Sequence, residues 1–542
     1  MKKIFSQTKQ LIISQQKSMF SSTLILASMI VVARIFGFIR YRVLAGYFTA
    51  EQLDIYFAAF RLPDLIFEIL ISGALTASFI PFYIKYQNNK KLQDEYISSI
   101  INILTLFLFG LIIVLTIFSY PLISFITPGF DKEKIKQIAF FSQILLFGQL
   151  PFLALGNFLT GISQAKRMFL IPAIAPILYN VMIIVMTFIF ASSLNLLAPV
   201  IGVIFGALLF LLVQLPIISL AQFHYQLIIK KAQELWDFFR MIVPRVFTII
   251  IAQIDVTIDL TLASLAGAGS YTVFYFAQHL QLLPVAVLGI AFGQASLPYL
   301  SDMYQQKKFE DLKRVIIDSI LSLFFFTIPI ASFFIFARTP VIRLFFGGPK
   351  FDWDATVLTA VTLSYFSLAL PFHAIYYFIT RCFYALFDSK TPFYLSFISL
   401  LVNITLSVLF ILILKLPVWS LAISFSVAMI LNVILLMIIL YIKLNGYAVK
   451  TLIVETLKIC FATILSSTFV YYVLKLFDNL IFDTTRTINV FFLICVTGTI
   501  YVLLYLLFAW IFNIREFYLI SKMIVKVKEY QKKIIEIYSQ VS

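Results

Sequence analysis

Between Ser28 and Pro81 the chain carries seven ionisable side chains: Arg34, Arg40, Arg42, Asp54, Arg61, Asp64 and Glu68. The stretch is otherwise apolar enough to lie in a membrane. Arginine offers a planar fork of N–H donors that fits phosphate or carboxylate oxygens, and it stays charged at any relevant pH. A charge at bilayer depth costs from about 3 kcal/mol upward. Such groups therefore face a water-filled cavity, or one another, rather than lipid. Both alternatives are open for the carboxylates. An arginine within a membrane span is a functional candidate by default, which singles out Arg34 and Arg40.

Helical geometry must bring these groups together. At about 100° per residue, Asp54, Arg61, Asp64 and Glu68 fall close to one face of a helix. Pro63 interrupts that helix beside Arg61, and Gly73 follows. Broken helices are tolerated at membrane depth where they line a cavity.

The whole chain has membrane composition. Of its 542 residues, 62% are hydrophobic and 12% charged, and the mean hydropathy is +1.01. No soluble globular domain has this balance. The net charge of +16 would suggest nucleic acid in a soluble protein. Here basic inner loops explain it, so no nucleic-acid partner is expected. The N-terminal apolar run has no cleavage site and reads as a retained first helix. Cys382, Cys460 and Cys495 have the spacing of neither a metal site nor a disulfide framework.

Apolar periodicity places helices at about 22–45, 53–85, 97–124, 135–163, 169–192, 196–222, 236–266, 270–300, 312–337, 354–386, 392–414, 418–442, 451–476 and 487–513. The expected fold is thus an all-α integral membrane protein of about 14 transmembrane helices, both termini cytoplasmic. Its inner loops are short and basic, as at Lys85/Lys90/Lys91 and Lys307/Lys308. The stretch 514–542 alternates apolar residues with lysines at helical spacing, as expected of an amphipathic helix on anionic lipid.

The chain also repeats itself. Leu150–Pro172 matches Leu370–Pro392 without a gap, an offset of 220. Pro128–Asp131 matches Pro349–Asp352, an offset of 221. Tyr56–Ala58 matches Tyr275–Ala277, an offset of 219. Two six-helix lobes follow, at 1–232 and 233–448, related by an axis along the membrane normal. Helices at 449–513 are an addition that would suit a lipid tail. Two lobes of this kind are the natural basis of alternating access.

Motifs for covalent chemistry are absent: there is no P-loop, HExxH or GxSxG. Asp352-Trp353-Asp354 has the form metal-dependent glycosyltransferases use, but carboxylates at a helix N-terminus explain it better. In the second lobe, Asp255 and Asp259 share a face, with Arg245 on nearly the same side as Asp259. His279 lies in the helix that repeats the Arg61 helix. It is open to a cavity role or a structural hydrogen bond.

Several stretches together resemble the MurJ (MviN) lipid II flippase family, within the multidrug/oligosaccharidyl-lipid/polysaccharide exporter superfamily. They are ARIFGFIRYRVLAGYF, FRLPDLIFEILISGALTASFIPFY, PAIAPILYN, FYFAQHLQLLPVAVLGIAFGQASLP, LFFGGPKFD and RCFYALFDSKTPF, within about 33–393. The resemblance implies two six-helix lobes, a central cationic cavity and a groove formed with the last two helices. It implies alternating-access transport of undecaprenyl-pyrophosphate-linked peptidoglycan precursor, lipid II, from the inner to the outer leaflet of a bacterial cytoplasmic membrane. Arg34, Arg40, Asp54 and Arg61 stand at substrate-binding positions of the family. His279 stands where an eighth-helix arginine is usual, Phe67 where a second-helix arginine is usual, and Ser72 where a glutamate is usual. An altered polyprenyl-linked glycan is therefore a second substrate reading. Some members use sodium, for which Asp259 and Asn403 are the matching oxygen donors; membrane potential is the other coupling. The protein is expected to be a monomer with no catalytic residue, metal or cofactor. A multidrug antiporter would share the architecture, but its cavity would be acidic and aromatic. A membrane-embedded glycosyltransferase would need a nucleotide-sugar pocket that these short loops cannot house.

Overall fold

The structure is a computed structural model of the chain. It describes residues 19–72, 83, 86, 88–166, 168, 170–229 and 233–518. The helices begin with α1 (Met19–Tyr47), α2 (Ala50–Ala59) and α3 (Arg61–Ile66), which a π-helical turn, Phe67–Ser72, continues. Next come α4 (Lys90–Ile117), α5 (Ser119–Ile126), α6 (Lys132–Gly148), α7 (Leu150–Ala165), α8 (Leu170–Leu194), α9 (Leu197–Leu212), α10 (Pro216–Leu220) and α11 (Gln233–Leu265). Then α12 (Ser270–Pro284) runs through a π turn, Val285–Ile290, into α13 (Ala291–Gln305). The rest are α14 (Phe309–Phe336), α15 (Arg338–Phe346), α16 (Trp353–Ala385), α17 (Lys390–Val408, with a π turn Leu409–Ile413), α18 (Trp419–Lys443), α19 (Val449–Leu480) and α20 (Thr487–Ile511).

The described residues are helical and form no strand. Eleven helices among them are long and apolar enough to cross a membrane. Three expected spans are not among those eleven: 22–45, 53–85 and 236–266. They are the ones bearing Arg34 and Arg40, Asp54 to Glu68, and Arg245 to Asp259. The 53–85 span is not one straight helix, because the chain breaks at Phe60 and turns π-helical at Phe67. From residue 519 onward the expected amphipathic helix lies outside the described residues.

By packing, the chain forms two compact units. One is Met1–Thr272 with Phe345–Ala355, and the other is Val273–Leu344 with Thr356–Ser542. Each has its own apolar core. In the first, Ile97, Ile100, Leu104 and Leu108 of α4 recur at helical spacing and meet Leu146, Leu150, Ala154 and Phe158 of α6 and α7. In the second, Ile316 and Ile320 of α14 pack with Phe378 and Phe383 of α16, Leu436 of α18, Ile459 of α19 and Tyr505 of α20.

Other apolar faces stay exposed, such as Leu106 and Phe107 on α4 and Phe188 on α8. Lipid is as apolar as these side chains, so it covers them without penalty. Helix pairing then depends on close approach. On α9 a Cβ at Gly206 would lie 2.8 Å from the Tyr179 carbonyl oxygen of α8. Glycine there lets the two backbones touch, and it fixes the height of Tyr179.

The two aspartates of the repeated Pro-x-Phe-Asp motif cap helices. Asp131 Oδ1 accepts from Lys134 N–H at 2.8 Å, and Asp352 Oδ1 accepts from Ala355 N–H at 2.8 Å. These orphan N–H groups are what the first turn of a helix offers a carboxylate. Exposed Asp131 is held below its usual range, chiefly by that backbone N–H.

Candidate functional site

Four charged residues of the first unit, Arg40, Arg61, Asp64 and Glu68, act on one another near Tyr56 and Tyr179, which brings in α1, α2, α3 and α8. Aromatic rings wedge the end of α1. Phe38 lies 4.8 Å from Phe345, and Tyr41 lies 5.9 Å from Phe57 and 6.2 Å from Phe346. Arg40 is half-buried beside them, with its guanidinium carbon 4.6 Å from the centre of the Tyr41 ring. Stacking of this kind keeps a guanidinium plane oriented, and a guanidinium edge carries the paired donors that suit an oxyanion.

Asp64 stands one turn into α3, and the charges acting on it are those of Arg61, Glu68 and Arg40. Arg40 and Asp64 also act on the phenols of Tyr56 and Tyr179. Gln149, at the break between α6 and α7, donates its amide to the Tyr179 hydroxyl at 3.3 Å. Arg40, Tyr41, Tyr56, Arg61, Asp64, Glu68 and Tyr179 thus form one polar cluster inside apolar helices.

Arg61 is 6% exposed and spans to α11. Its Nε donates to Thr257 Oγ1 at 3.1 Å. A second guanidinium nitrogen donates to the Gln253 carbonyl at 2.8 Å and to Gln253 Oε1 at 2.9 Å. Thr257 in turn donates to the Gln253 carbonyl at 2.6 Å. Four residues apart, the two side chains share a face of α11, and that face receives the guanidinium.

Asp54 is 1% exposed. Its two oxygens accept from Gly269 N–H at 2.7 Å and from Thr272 N–H at 2.8 Å. Asp54 therefore caps the start of α12. Gly269 meets it at φ +79°, a conformation that favours glycine. Arg34 is exposed on α1. It lies six positions before Arg40, about 9 Å along the axis and about 120° around it.

The remaining candidates lie elsewhere. His279, on α12, stacks on Tyr275 with ring centres 3.9 Å apart. Its Nδ1 is 2.8 Å from the Tyr275 carbonyl oxygen, so Nδ1 carries the proton and donates. Asp259 is buried on α11 and Asn403 is buried on α17, where Asn403 Oδ1 accepts from Ser407 at 3.4 Å. Arg245 and Asp259 are fourteen positions apart on one continuous helix. That separates their backbones by about 21 Å along the axis. Among the described residues no cluster of His, Cys, Asp and Glu could hold a metal.

Gln253, Thr257, Tyr179 and Gln149 were not singled out by sequence. The available signal was the i, i+4 pair of Gln253 and Thr257 beside the aspartates. A lone tyrosine or glutamine in an apolar helix gives none.

Eleven membrane-length helices among the described residues, with charges gathered on a broken helix, define a multi-pass membrane protein. The family model described as Lipid II flippase MurJ matches residues 44–492. The chain belongs to that family. It is 28% identical over 460 residues to a probable lipid II flippase MurJ of Bdellovibrio bacteriovorus, covering 82% of this chain and 87% of that one. A solved structure of a lipid II flippase MurJ in an inward closed conformation is 27% identical, with a TM-score of 0.74 over 90% of this chain and 98% of that one. An inward-facing multidrug resistance MATE family transporter of the MOP superfamily is 14% identical, with a TM-score of 0.65 over 78% of this chain and 98% of that one, and shares the fold.

Proposed function

We propose that this chain is a lipid II flippase in which Arg34 and Arg40 take the substrate's pyrophosphate. The carrying observation is Arg40, stacked on Tyr41 and set among Asp64, Glu68 and Arg61 inside apolar helices. A pyrophosphate leaving water needs cations, and guanidinium edges supply charge and paired donors. The isoprenoid tail stays in lipid while the head group crosses. No bond is made or broken, so the protein acts as a transporter and not an enzyme. Arg61 and Asp54 hold the frame: their described bonds run to α11 and to the start of α12.

The protein works as a monomer in a bacterial cytoplasmic membrane, with both termini inside and basic loops on the anionic face. Head groups move from the inner to the outer leaflet as two six-helix lobes, 1–232 and 233–448, alternate access. Reconstituted flipping of labelled lipid II, with other polyprenyl-linked glycans in parallel, tests the substrate. A preference for another glycan is the second reading, favoured by Phe67 and His279 at positions where the family resemblance expects arginine. In a flippase-depleted strain, Arg34→Ala and Arg40→Ala should accumulate in the membrane without restoring growth. Full growth of both overturns the assignment. Lysine at either position should rescue only in part, because the fork is lost.

Transport is coupled to sodium at Asp259 and Asn403, or to membrane potential. Both side chains are buried oxygen donors in apolar helices. Replacing sodium by choline at constant pH and potential should slow flipping; an unchanged rate rules the sodium route out.

A further inference from the structure

Glu516 follows α20 in a short helical turn and is 2% exposed. Both of its carboxylate oxygens are buried with no hydrogen-bond partner among the described residues. Its chain neighbours join the second unit's core: Ile514 belongs to that core, as do Leu452 and Ile459 of α19, and Phe517 packs on it.

Nearby charges are already matched. Arg515 donates to Asp318 Oδ2 of α14 at 3.0 Å. Lys458 pairs with Glu455 Oε1 on α19 at 2.7 Å. Tyr505 donates its hydroxyl to the Phe325 carbonyl at 2.9 Å. Three carboxylates thus meet two cations, and Glu516 is the one left over. An ionised carboxylate buried without a donor costs several kcal/mol. A protonated one is neutral and becomes a donor. Glu455 Oε2 is itself buried without a partner, so an acceptor of the right kind stands in the same cluster.

We propose that Glu516 is a proton-binding site that fastens 514–518 to α14 and α19, and that losing the proton releases this segment. Burial above all, then the neighbouring Glu455 and Asp318, hold the carboxyl above its ordinary 4.5, against its own backbone N–H and Arg515. Docking therefore takes up a proton. It is complete below the ordinary value and weakens as pH rises through the docked one, up to about tenfold per pH unit.

The test is hydrogen exchange of the 509–518 peptide in the full-length protein in liposomes, from about pH 5 to 9, corrected for intrinsic rates. Wild-type protection should fall with rising pH by up to about tenfold per unit. Glu516→Gln, a neutral isostere, should hold its protection across the range. Glu455→Gln removes a like charge and should move the wild-type midpoint to lower pH. A flat wild-type profile, or one that Glu516→Gln reproduces, overturns the site. So does protection that follows sodium or potassium concentration at constant pH, which would assign it to a metal cation. Where Glu516→Gln fails to fold, an unmoved midpoint in Glu455→Gln overturns it alone.

Discussion

The helix at 50–72 and its repeat counterpart at 270–290 share a backbone plan and differ in chemical load. Each has a π turn at the matching place, Phe67–Ser72 and Val285–Ile290, an offset of 218. Both keep the tyrosine of the Tyr-Phe-Ala match. In sequence, Asp54, Arg61, Asp64 and Glu68 correspond to Val273, Leu280, Leu283 and Val287 at an offset of 219. Val273 and Leu280 are fully buried. A π turn widens a helix locally and re-aims side chains in either copy. Only the first copy uses it beside ionisable groups. Besides its tyrosines, the second keeps only one titratable group there, His279, bonded back to its own helix.

A second pair repeats this lesson. The first copy breaks between α6 and α7 at Gln149, and Gln149 reaches Tyr179. Its counterpart α16 runs unbroken through Pro371, with Ala369 in the glutamine's place. Polar side chains have been placed where the first copy bends, and apolar ones where the second runs on.

If this asymmetry decides function, the two copies should respond unequally to loss of a cation. The largest expected effect is Arg40→Ala. Charge-assisted bonds are worth about 1.5–3 kcal/mol each, so flipping of labelled lipid II should fall by about 10- to 100-fold. His279→Gln should change it by less than about threefold, because its described bond is local. Equal losses in the two variants would break the comparison. Asp54→Asn comes next. An amide has one oxygen for two N–H donors, which should lower stability by about 1–3 kcal/mol on thermal unfolding. An unchanged melting temperature would mean that the cap on α12 is dispensable. Gln149→Ala, which copies Ala369 into the first lobe, has the smallest effect. It should cost about 0.5–1.5 kcal/mol and lower flipping only slightly, and a collapse of transport would move Tyr179 to the centre of the site.

Much of the fold was legible in order of residues. The expected 312–337, 354–386 and 418–442 helices are Phe309–Phe336, Trp353–Ala385 and Trp419–Lys443. Long apolar runs leave little choice when every buried backbone group must find a partner within its own segment. The site was legible only in part. Arg40 and Asp64 fall into one cluster, as one-face geometry and intramembrane charge suggested. The bonds of Asp54 and Arg61 could not be foreseen, because their partners lie about 200 residues away: Gly269, Thr272, Gln253 and Thr257.

Sequence by itself determined the membrane class, the helices, the repeat and the charged stretch, since composition, periodicity and spacing are local properties. Tertiary structure decided which of those charges are spoken for. A buried carboxylate or guanidinium goes to whichever donors or acceptors packing brings within about 3 Å, and packing joins residues that spacing keeps apart. That is why Asp54 caps α12 and Arg61 braces α11, and why Arg40 stacks on Tyr41. It is also why Glu516, one more surface-looking glutamate by sequence, lies buried with no hydrogen-bond partner among the described residues.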